Sequence, residues 1–510
     1  MAENTTSQLP LEQLRQIRIE KLKKLREMGI NPYPSTSHRT NTSKEILASF
    51  EKFKNKVVTV AGRVMSWRAH GALIFADLMD FNGTIQIYIK NDVLKNTSTE
   101  DQIIGFEDLN LIDIGDIVEI TGIVTKTKTG QISVLASGFK ILTKSLRPLP
   151  DKHYGLKDKE EKFRRRYLDI LTNNDVKEMF IRKSKFWELS RKFMSDNGFI
   201  EVETPVLEHI TGGADARPFI THHNALGEDF YLRISTELFQ KRLIGAGFEK
   251  IYTLAPNFRN EGIDDEHLQE YYQLEWYWAY ADYNDNMNFT KELFRYIAKK
   301  LYGKTKFVKG EYEFDLDDEW ERVDYVKIMK STYGVDIFNT SEAELLPIVK
   351  KNNIKLDGTI NKQRLIDNLW KVIRKKISGP AFLINEPKFM SPLAKSKPED
   401  ERLTERYHVI IAGSELANGY NELNDPIDQL ERFKDQQKNR DSGDEEAQMM
   451  DIDYVEMLEW GMPPVSGHGH SERVFWFFED VTAREGTLFP QMKKQLSEST
   501  KKIYGIKDKL

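Results

Sequence analysis

Apolar residues at Leu11, Leu14, Ile17, Leu22, Leu25 and Met28 keep mostly helical spacing and are stopped by Gly29, which predicts an amphipathic helix over 11–28. Its other face carries Arg15, Arg18, Lys21, Lys23, Lys24 and Arg26. That face reads equally as a solvated surface or as a contact for an RNA backbone. After the break at Asn31-Pro32-Tyr33-Pro34 the period changes. Val57–Met65, Leu73–Leu78, Thr84–Lys90, Ile117–Val124 and Gln131–Leu135 are rich in Val and Ile, several alternate, and glycines punctuate them. Five short strands in this stretch predict a small barrel of the oligonucleotide/oligosaccharide-binding (OB) type. Phe75 and Gln86 fall on strands and Arg68 at a strand end, where each reads first as a barrel-wall residue.

Arg147-Pro148-Leu149-Pro150 ends the barrel, and Phe163-Arg164-Arg165-Arg166-Tyr167 forms a basic linker. Beyond it the pattern mixes helix and strand with no internal boundary or repeat. Asp175–Asn197 reads as a long helix begun by Asn174 or Asp175 and stopped by Gly198, followed by a strand over Phe199–Glu203. Asp435–Ala447 is polar and acidic and reads as an exposed helix.

Composition narrows the function. Among 510 residues there is no cysteine, which excludes disulfides, thiolate zinc sites, iron–sulfur clusters and a cysteine nucleophile. No apolar run is long enough for a transmembrane helix, and the polar N-terminus lacks a signal-peptide core, so a cytoplasmic protein with no membrane partner is expected. The net charge is −5, yet residues 1–150 hold 20 basic and 16 acidic residues, a net of +4. A basic first part on an acidic body hints at a nucleic-acid partner.

Four segments concentrate chemistry. Residues 271–280 alternate, so Tyr272, Leu274, Trp276 and Trp278 share one face, expected on the core, and Tyr271, Gln273, Glu275 and Tyr277 the other. A carboxylate flanked by tyrosines suits a cationic group. Arg259 and Glu261 follow the strand Ile251–Leu254; they fit a phosphate and amine site or a plain surface ion pair. Glu415, Asn418, Tyr420 and Glu422 surround Asn418-Gly419, whose plain reading is a polar turn. Gly467-His468-Gly469-His470-Ser471-Glu472-Arg473 precedes an apolar run; its glycines permit close backbone approach, and its two histidines raise a metal reading that lacks a third partner nearby.

In this order the segments resemble the three signature motifs of class II aminoacyl-tRNA synthetases: Phe199-Ile-Glu-Val-Glu-Thr-Pro205, then Phe258-Arg259-Asn-Glu261 with Glu275, then Gly467 to Arg473. More narrowly the chain resembles the bacterial lysyl-tRNA synthetases along nearly its whole length. The phrases at 146–151, 212–219, 221–225, 391–394 and 418–425 carry that likeness. The resemblance implies an α+β fold: an N-terminal five-stranded OB-type barrel, then a class II synthetase catalytic domain built on an antiparallel sheet flanked by helices. The implied division is a helical extension at 1–50, an anticodon-binding barrel at 51–150, a linker at 151–174 and the catalytic domain at 175–510.

It also implies substrates and roles. Lysine and ATP would form lysyl-adenylate, and the lysyl group would pass to the tRNA for lysine. Arg259, Glu261 and Arg473 would be the catalytic set. Arg259 would hold the α-phosphate and substrate carboxylate, Tyr271 and Arg473 would sandwich adenine, and Glu261 and His267 would contact the nucleotide. Glu422 and Tyr277 would take the side-chain ammonium, with Glu275 in the same pocket and Tyr420 lining it. Glu237 and the Gly213-Ala214 backbone would take the α-amine, and Asn418 would assist the carboxylate. Magnesium would be the cofactor, with Glu415 and Glu422 as carboxylate ligands. Arg68, Phe75 and Gln86 would read the anticodon, and the protein would be a homodimer. An aspartate- or asparagine-specific relative shares the architecture, but its pocket should present cations rather than Glu237, Glu275 and Glu422.

Three places depart from the family pattern. Asp264-Asp265-Glu266-His267-Leu268-Gln269 is acidic where relatives carry a basic residue followed by Asn-Pro. His408 stands where a second magnesium carboxylate is expected. His470-Ser471 replaces a glycine-rich aliphatic stretch, with Glu472 for the usual Asp. These departures keep open an alternative, a non-catalytic RNA-binding protein derived from a class II synthetase.

Overall fold

The computed structural model describes residues 9–150, 156–354, 361–443 and 446–507. Asp151 of the 146–151 phrase and residues 444–445 of the expected 435–447 helix lie outside them. The chain forms two compact units, one from residues 1–157 with 493–510, the other from 158–492.

In the first unit, strands β1 (Val57–His70), β2 (Leu73–Met79), β3 (Thr84–Lys90), β4 (Ile117–Lys126) and β5 (Ile132–Thr143) close into a barrel in the order β1-β2-β3-β5-β4. Alternation sends Ile74, Ala76, Leu78, Ile85, Ile87 and Ile89 into the core. β1 and β5 run past the ends expected from sequence, because Ser66-Trp67-Arg68 and Ala136-Ser137-Gly138 interrupt apolar alternation without interrupting backbone pairing. Arg68 therefore lies within β1, opposite Phe75, and not at its end. Gly122 permits closure: a Cβ there would sit 2.1 Å from the Leu135 carbonyl oxygen.

Helix α1 (Leu11–Glu27) matches its pattern, and Gly29 follows at φ +76°. Its basic face is not wholly available. Arg18 is buried and donates to the carbonyls of Ile114, Ser145 and Arg147, and Lys21 pairs with Asp113 at 2.7 Å. The helix Glu498–Tyr504 belongs to this unit too, with the Tyr504 ring 5.9 Å from the Arg15 guanidinium and 5.8 Å from that of Arg147.

The second unit is built on an eight-stranded sheet. Its strands run in the order Glu321–Asp324, Ala381–Ile384, Arg406–Ile411, Ser414–Asn421, Val465–Ser471, Glu270–Ala279, Lys250–Phe258 and Ile200–Glu201. All central neighbours are antiparallel, and only the two outermost pairs are parallel. The helix Asn174–Asp196 is capped by Asn173, whose side chain accepts from the Asp175 N–H, so its start lies just before the residues expected. The strand expected over 199–203 is only Ile200–Glu201, with one further bond from the Val202 N–H to the Tyr252 carbonyl at 2.9 Å before the chain turns away.

One sheet face carries the core. Leu274 and Trp276 are fully buried against Leu293 and Phe294 of the helix Tyr283–Ile297. Trp276 donates its indole N–H to Asn286 at 2.8 Å, satisfying the one polar atom of a buried tryptophan. Tyr272, expected on this face, is 45% exposed because the core ends before the strand does. Among the described residues, no helix is long and apolar enough to cross a membrane.

Candidate active site

The opposite sheet face holds the site. Tyr271, Gln273, Glu275 and Tyr277 point the same way, and Tyr277 and Glu275 stand across from Gly467 and Gly469 of the next strand. Two missing side chains leave open space above the sheet. A Cβ on Gly467 would lie 2.2 Å from Glu422 Oε1, and one on Gly469 would lie 2.8 Å from Gln273 Nε2. The result is a cavity of about 250 Å³, lined by Gly213, Ala214, Arg259, Asn418 and the acidic and phenolic groups described next.

Asn418 and Gly419 are not a turn. They lie inside the strand Ser414–Asn421, paired with Gly469 and His468. Gly419 is required by packing: a Cβ would meet the Gly467 carbonyl oxygen at 2.5 Å and the Tyr407 hydroxyl at 2.6 Å.

Three buried carboxylates converge on the cavity. Glu275 accepts from Ser235 Oγ at 3.0 Å, the Thr236 N–H at 3.0 Å and Gln273 Nε2 at 2.9 Å. Burial and the nearby Glu237 push its carboxyl up, against those donors. Glu237, at the start of the helix Glu237–Gly245, accepts from the Tyr420 hydroxyl at 2.6 Å and from Lys241 at 2.5 Å. Glu422 pairs with Lys241. Burial opposes charge on Lys241, yet Glu237 and Glu422 together outweigh it and keep the ammonium ionised well beyond the usual lysine range. Tyr277 and Tyr420 are both pushed well up, first by burial and then by Glu237, so they remain neutral hydroxyls. Sequence reasoning missed Lys241; its i+4 spacing from Glu237 on a helix was the available signal.

The Arg259 guanidinium lies 5.5 Å from the Tyr271 ring, and its buried Nε has no hydrogen-bond partner among the described residues. Glu261 stands beside it, its carboxyl raised by burial against the pull of Arg259. Arg473 follows the Val465–Ser471 strand and gathers the acidic loop. It bonds His267 Nε2 at 2.8 Å, the Glu266 carbonyl at 3.4 Å and the Glu415 carbonyl at 3.3 Å, with the Glu266 carboxylate 3.5 Å away. His267 is held in turn by Asp264 through Nδ1 at 2.7 Å. The structure thus brings Arg259, Glu261, His267, Tyr271 and Arg473 near one another, with Arg259 lining the cavity.

The magnesium expectation meets a correction. Glu415 and Glu422 lie at opposite ends of one extended segment, at about 3.3 Å per residue too far apart to share an ion. Glu422 is already paired with Lys241. Glu415 is bonded to His408 Nδ1 at 2.7 Å, while His408 Nε2 reaches Glu386 at 3.2 Å. Burial opposes a charge on His408, but Glu415 and Glu386 outweigh it and push the imidazole up to about 9. The same His408, with Arg374 and Arg406, outweighs burial at Glu415 and holds its carboxyl far below the usual range. An imidazole thus sits between two carboxylates, and Glu415 and Glu422 do not form a shared two-carboxylate pair for magnesium. Among the described residues, no group of three or more His, Asp or Glu could hold a metal ion. Glu386 was missed in the sequence because it lies in a loop, outside the quoted phrases, and only the fold brings it to His408.

His468 and His470 lie on the core face instead. His468 stacks on Trp276 at 3.9 Å, bonds the Tyr407 hydroxyl through Nδ1 at 2.8 Å, and meets His470 Nδ1 through Nε2 at 3.2 Å. Burial holds both imidazoles neutral, with His470 pushed down to about 3.

On the barrel, Arg68, Phe75 and Gln86 share the outer surface of β1–β3. Phe75 stacks on Tyr88 with centroids 4.9 Å apart and planes 6° from parallel, and the Lys90 ammonium lies 5.2 Å from Tyr88. Gln86 accepts from Ser133 Oγ at 2.8 Å, and Arg68 is paired with Asp77 at 2.9 Å. Tyr88 was missed, although it follows Gln86 at the same-face spacing of two.

Comparison with known proteins agrees with this architecture. The family described as tRNA synthetases class II (D, K and N) matches residues 158–493, and the OB-fold nucleic acid binding domain matches residues 58–142. The chain belongs to the class II tRNA synthetase family. Within it, the chain is similar to the lysine–tRNA ligase of Thermoanaerobacter sp. (strain X514), 46% identical over 489 residues that span 95% of this chain and 96% of that protein. It is also similar to the lysine–tRNA ligases of Thermosipho africanus (strain TCF52B), 45% identical over 94% of this chain and 96% of the relative, and of Halalkalibacterium halodurans, 42% identical over 97% of this chain and 100% of the relative.

Proposed function

We propose that the protein activates lysine with ATP and transfers it to the tRNA for lysine in the cytoplasm. The observation that carries this reading is the convergence of Glu237, Glu275 and Glu422 on one buried cavity beside Arg259. A lysine molecule brings two ammonium groups and one carboxylate. Buried carboxylates reward the ammoniums with charge-assisted bonds and penalise substrates that leave them unpaired.

In this reading Glu422 and Tyr277 receive the side-chain ammonium, with Tyr420 as a wall and Glu275 holding the pocket negative. Glu237 and the Gly213-Ala214 backbone take the α-amine. Asn418 and Arg259 orient the carboxylate. An oxygen of that carboxylate attacks the α-phosphorus of ATP, the bond to the β-phosphate oxygen breaks, and pyrophosphate leaves. A ribose hydroxyl of the tRNA terminus then attacks the acyl carbon, loses its proton and releases AMP. Neither step needs a protein nucleophile; positioning and charge neutralisation supply the acceleration. Tyr271 and Arg473 bracket the adenine, with Glu261 and His267 at the nucleotide. Magnesium carried on the ATP phosphates would neutralise their charge, with Arg259 as the protein's own cation beside them.

Arg68, Phe75 and Gln86, with Tyr88 behind Phe75, receive the anticodon. A homodimer is supported by exposed apolar residues on and beside the small sheet 207–232, where Ile220 is 65% and Leu226 59% exposed. The alternative of a non-catalytic RNA-binding protein is disfavoured by the assembled pocket.

The test is amino-acid-dependent ATP–pyrophosphate exchange without tRNA, run across the standard amino acids. Exchange with lysine alone is expected. Exchange with another amino acid, or with none in a folded protein, overturns the reading.

A further inference from the structure

Lys241 is a fully buried lysine inside a pocket that the reading above gives to another lysine. Its ammonium bridges Glu237 and Glu422, and the rings of Tyr420 and Tyr454 lie 5.5 and 5.9 Å away. The bridge is asymmetric at Glu422. Both oxygens are buried and neither makes a hydrogen bond of good geometry among the described residues, but Oε2 is the one in ion contact with Lys241, whereas Oε1 points toward the space left by the bare Cα of Gly467.

We propose that Lys241 is a specificity-determining positioning residue: a built-in ammonium that occupies one oxygen of Glu422 and one of Glu237, leaving a single acceptor at the blind end of the pocket for one substrate ammonium. The inference rests on the lysine reading of the site. It follows from charge and geometry together. Counted as formal charges, Asp215, Glu237, Glu275 and Glu422 line the cavity with Arg259 and Arg406, and Lys241 behind Glu237 and Glu422 is a third cation, which leaves one unbalanced negative charge. An amino acid with a cationic side chain carries one net positive charge and closes the balance. Without Lys241 the pocket would hold two uncompensated carboxylates, a state that buried groups avoid by moving, taking up a proton or admitting a second cation. Each of these removes Glu422 Oε1 as a vacant, ionised acceptor, by moving it, neutralising it or filling it. The groups facing Lys241 are Glu237 on its own helix, Tyr420 and Glu422 on and just after the 414–421 strand, and Tyr454 on the helix Ile452–Trp460; Arg242 faces Tyr454 beyond them.

The substitution Lys241→Ala removes three methylenes and the ammonium, a volume that n-propylammonium matches. In lysine-dependent ATP–pyrophosphate exchange we expect the KM for lysine to rise at least tenfold and the KM for ATP to stay within threefold. Adding n-propylammonium chloride should then lower the lysine KM of the variant at least threefold, while equal sodium chloride or n-propanol does not. In the native protein the same amine should only compete with lysine. A lysine KM within threefold of native, or a raised KM that the amine fails to lower, overturns the proposal. If Lys241→Ala does not fold, Lys241→Arg replaces it. Its larger head group keeps the charge but intrudes on the vacant acceptor, so a lysine KM raised at least tenfold at unchanged ATP KM supports the proposal and an unchanged lysine KM overturns it. Native protein that exchanges with no amino acid, or with one other than lysine, defeats the underlying reading instead, so the two failures are told apart before any variant is measured.

Discussion

Gly467 stands against Glu422 so closely that a single added methyl group would lie 2.2 Å from the carboxylate oxygen Oε1. The same position would crowd the Tyr277 ring at 2.6 Å. Gly467→Ala should therefore displace the acceptor of the side-chain ammonium. Losing a hydrogen bond to a charged group costs about 1.5–3 kcal/mol, so lysine-dependent exchange should fall roughly ten- to a hundredfold in kcat/KM. The KM for ATP should hardly move. A variant with native lysine kinetics would show that Glu422 does not hold the substrate amine.

The acidic loop makes a different prediction. Glu266 and His267 engage Arg473, the residue proposed to cover the adenine. Glu266→Ala removes a half-exposed ion pair worth about 0–1 kcal/mol, so the KM for ATP should fall up to about fivefold as Arg473 is released. The KM for lysine should be unchanged. An ATP KM that rises would mean that Glu266 assists nucleotide binding and does not compete with it.

The buried histidine pair should make the fold sensitive to acid. His468 and His470 are neutral in the native state, first because of burial, and His470 is pushed down to about 3. An unfolded histidine takes up a proton near pH 6.5. Acidification below that value therefore favours the unfolded chain, and the stability present above pH 6.5 is lost as pH falls toward the folded value. Between pH 7.5 and 5.5 proton uptake at His470 in the unfolded chain contributes a loss on the order of 1 kcal/mol. Denaturant unfolding of His470→Met at the two pH values should show a loss smaller by that amount. An unaltered difference would sink the assignment.

Phe75 should separate the two half-reactions. Base stacking on an aromatic ring is worth about 1–3 kcal/mol, so Phe75→Ala should raise the KM for tRNA in charging about five- to a hundredfold. Adenylate formation, read by exchange without tRNA, should keep its native rate. Loss of both would indicate that the barrel substitution damages the whole protein.

Much of this arrangement was legible in the chain. The alternation of Tyr271 to Tyr277 placed Glu275 and Tyr277 together, and the same period found most of the barrel core. What escaped had physical reasons. Asn418-Gly419 looks like a turn because glycine ordinarily serves conformational freedom; here it serves a close approach between strands, which only the partner strand reveals. Lys241 escaped because a lysine on an amphipathic helix is normally at the surface, and its burial depends on Glu422, far away in sequence. Glu386 lies in a loop, and only the fold brings it to His408. That His468 and His470 turn to the core face was not legible either, because spacing alone does not say which sheet face a side chain takes.

The helix Glu498–Tyr504 lies in the same unit as the barrel. In gene terms the catalytic unit is thus an insertion within the barrel unit, whose two pieces flank it. An isolated barrel cut from the chain by one stop codon after residue 157 would lose Tyr504 and leave Arg15 and Arg147 without their shared ring. A faithful minimal RNA-binding fragment would have to join residue 157 to residue 493 through a designed linker, and the catalytic unit is best expressed as an internal segment with both ends newly made.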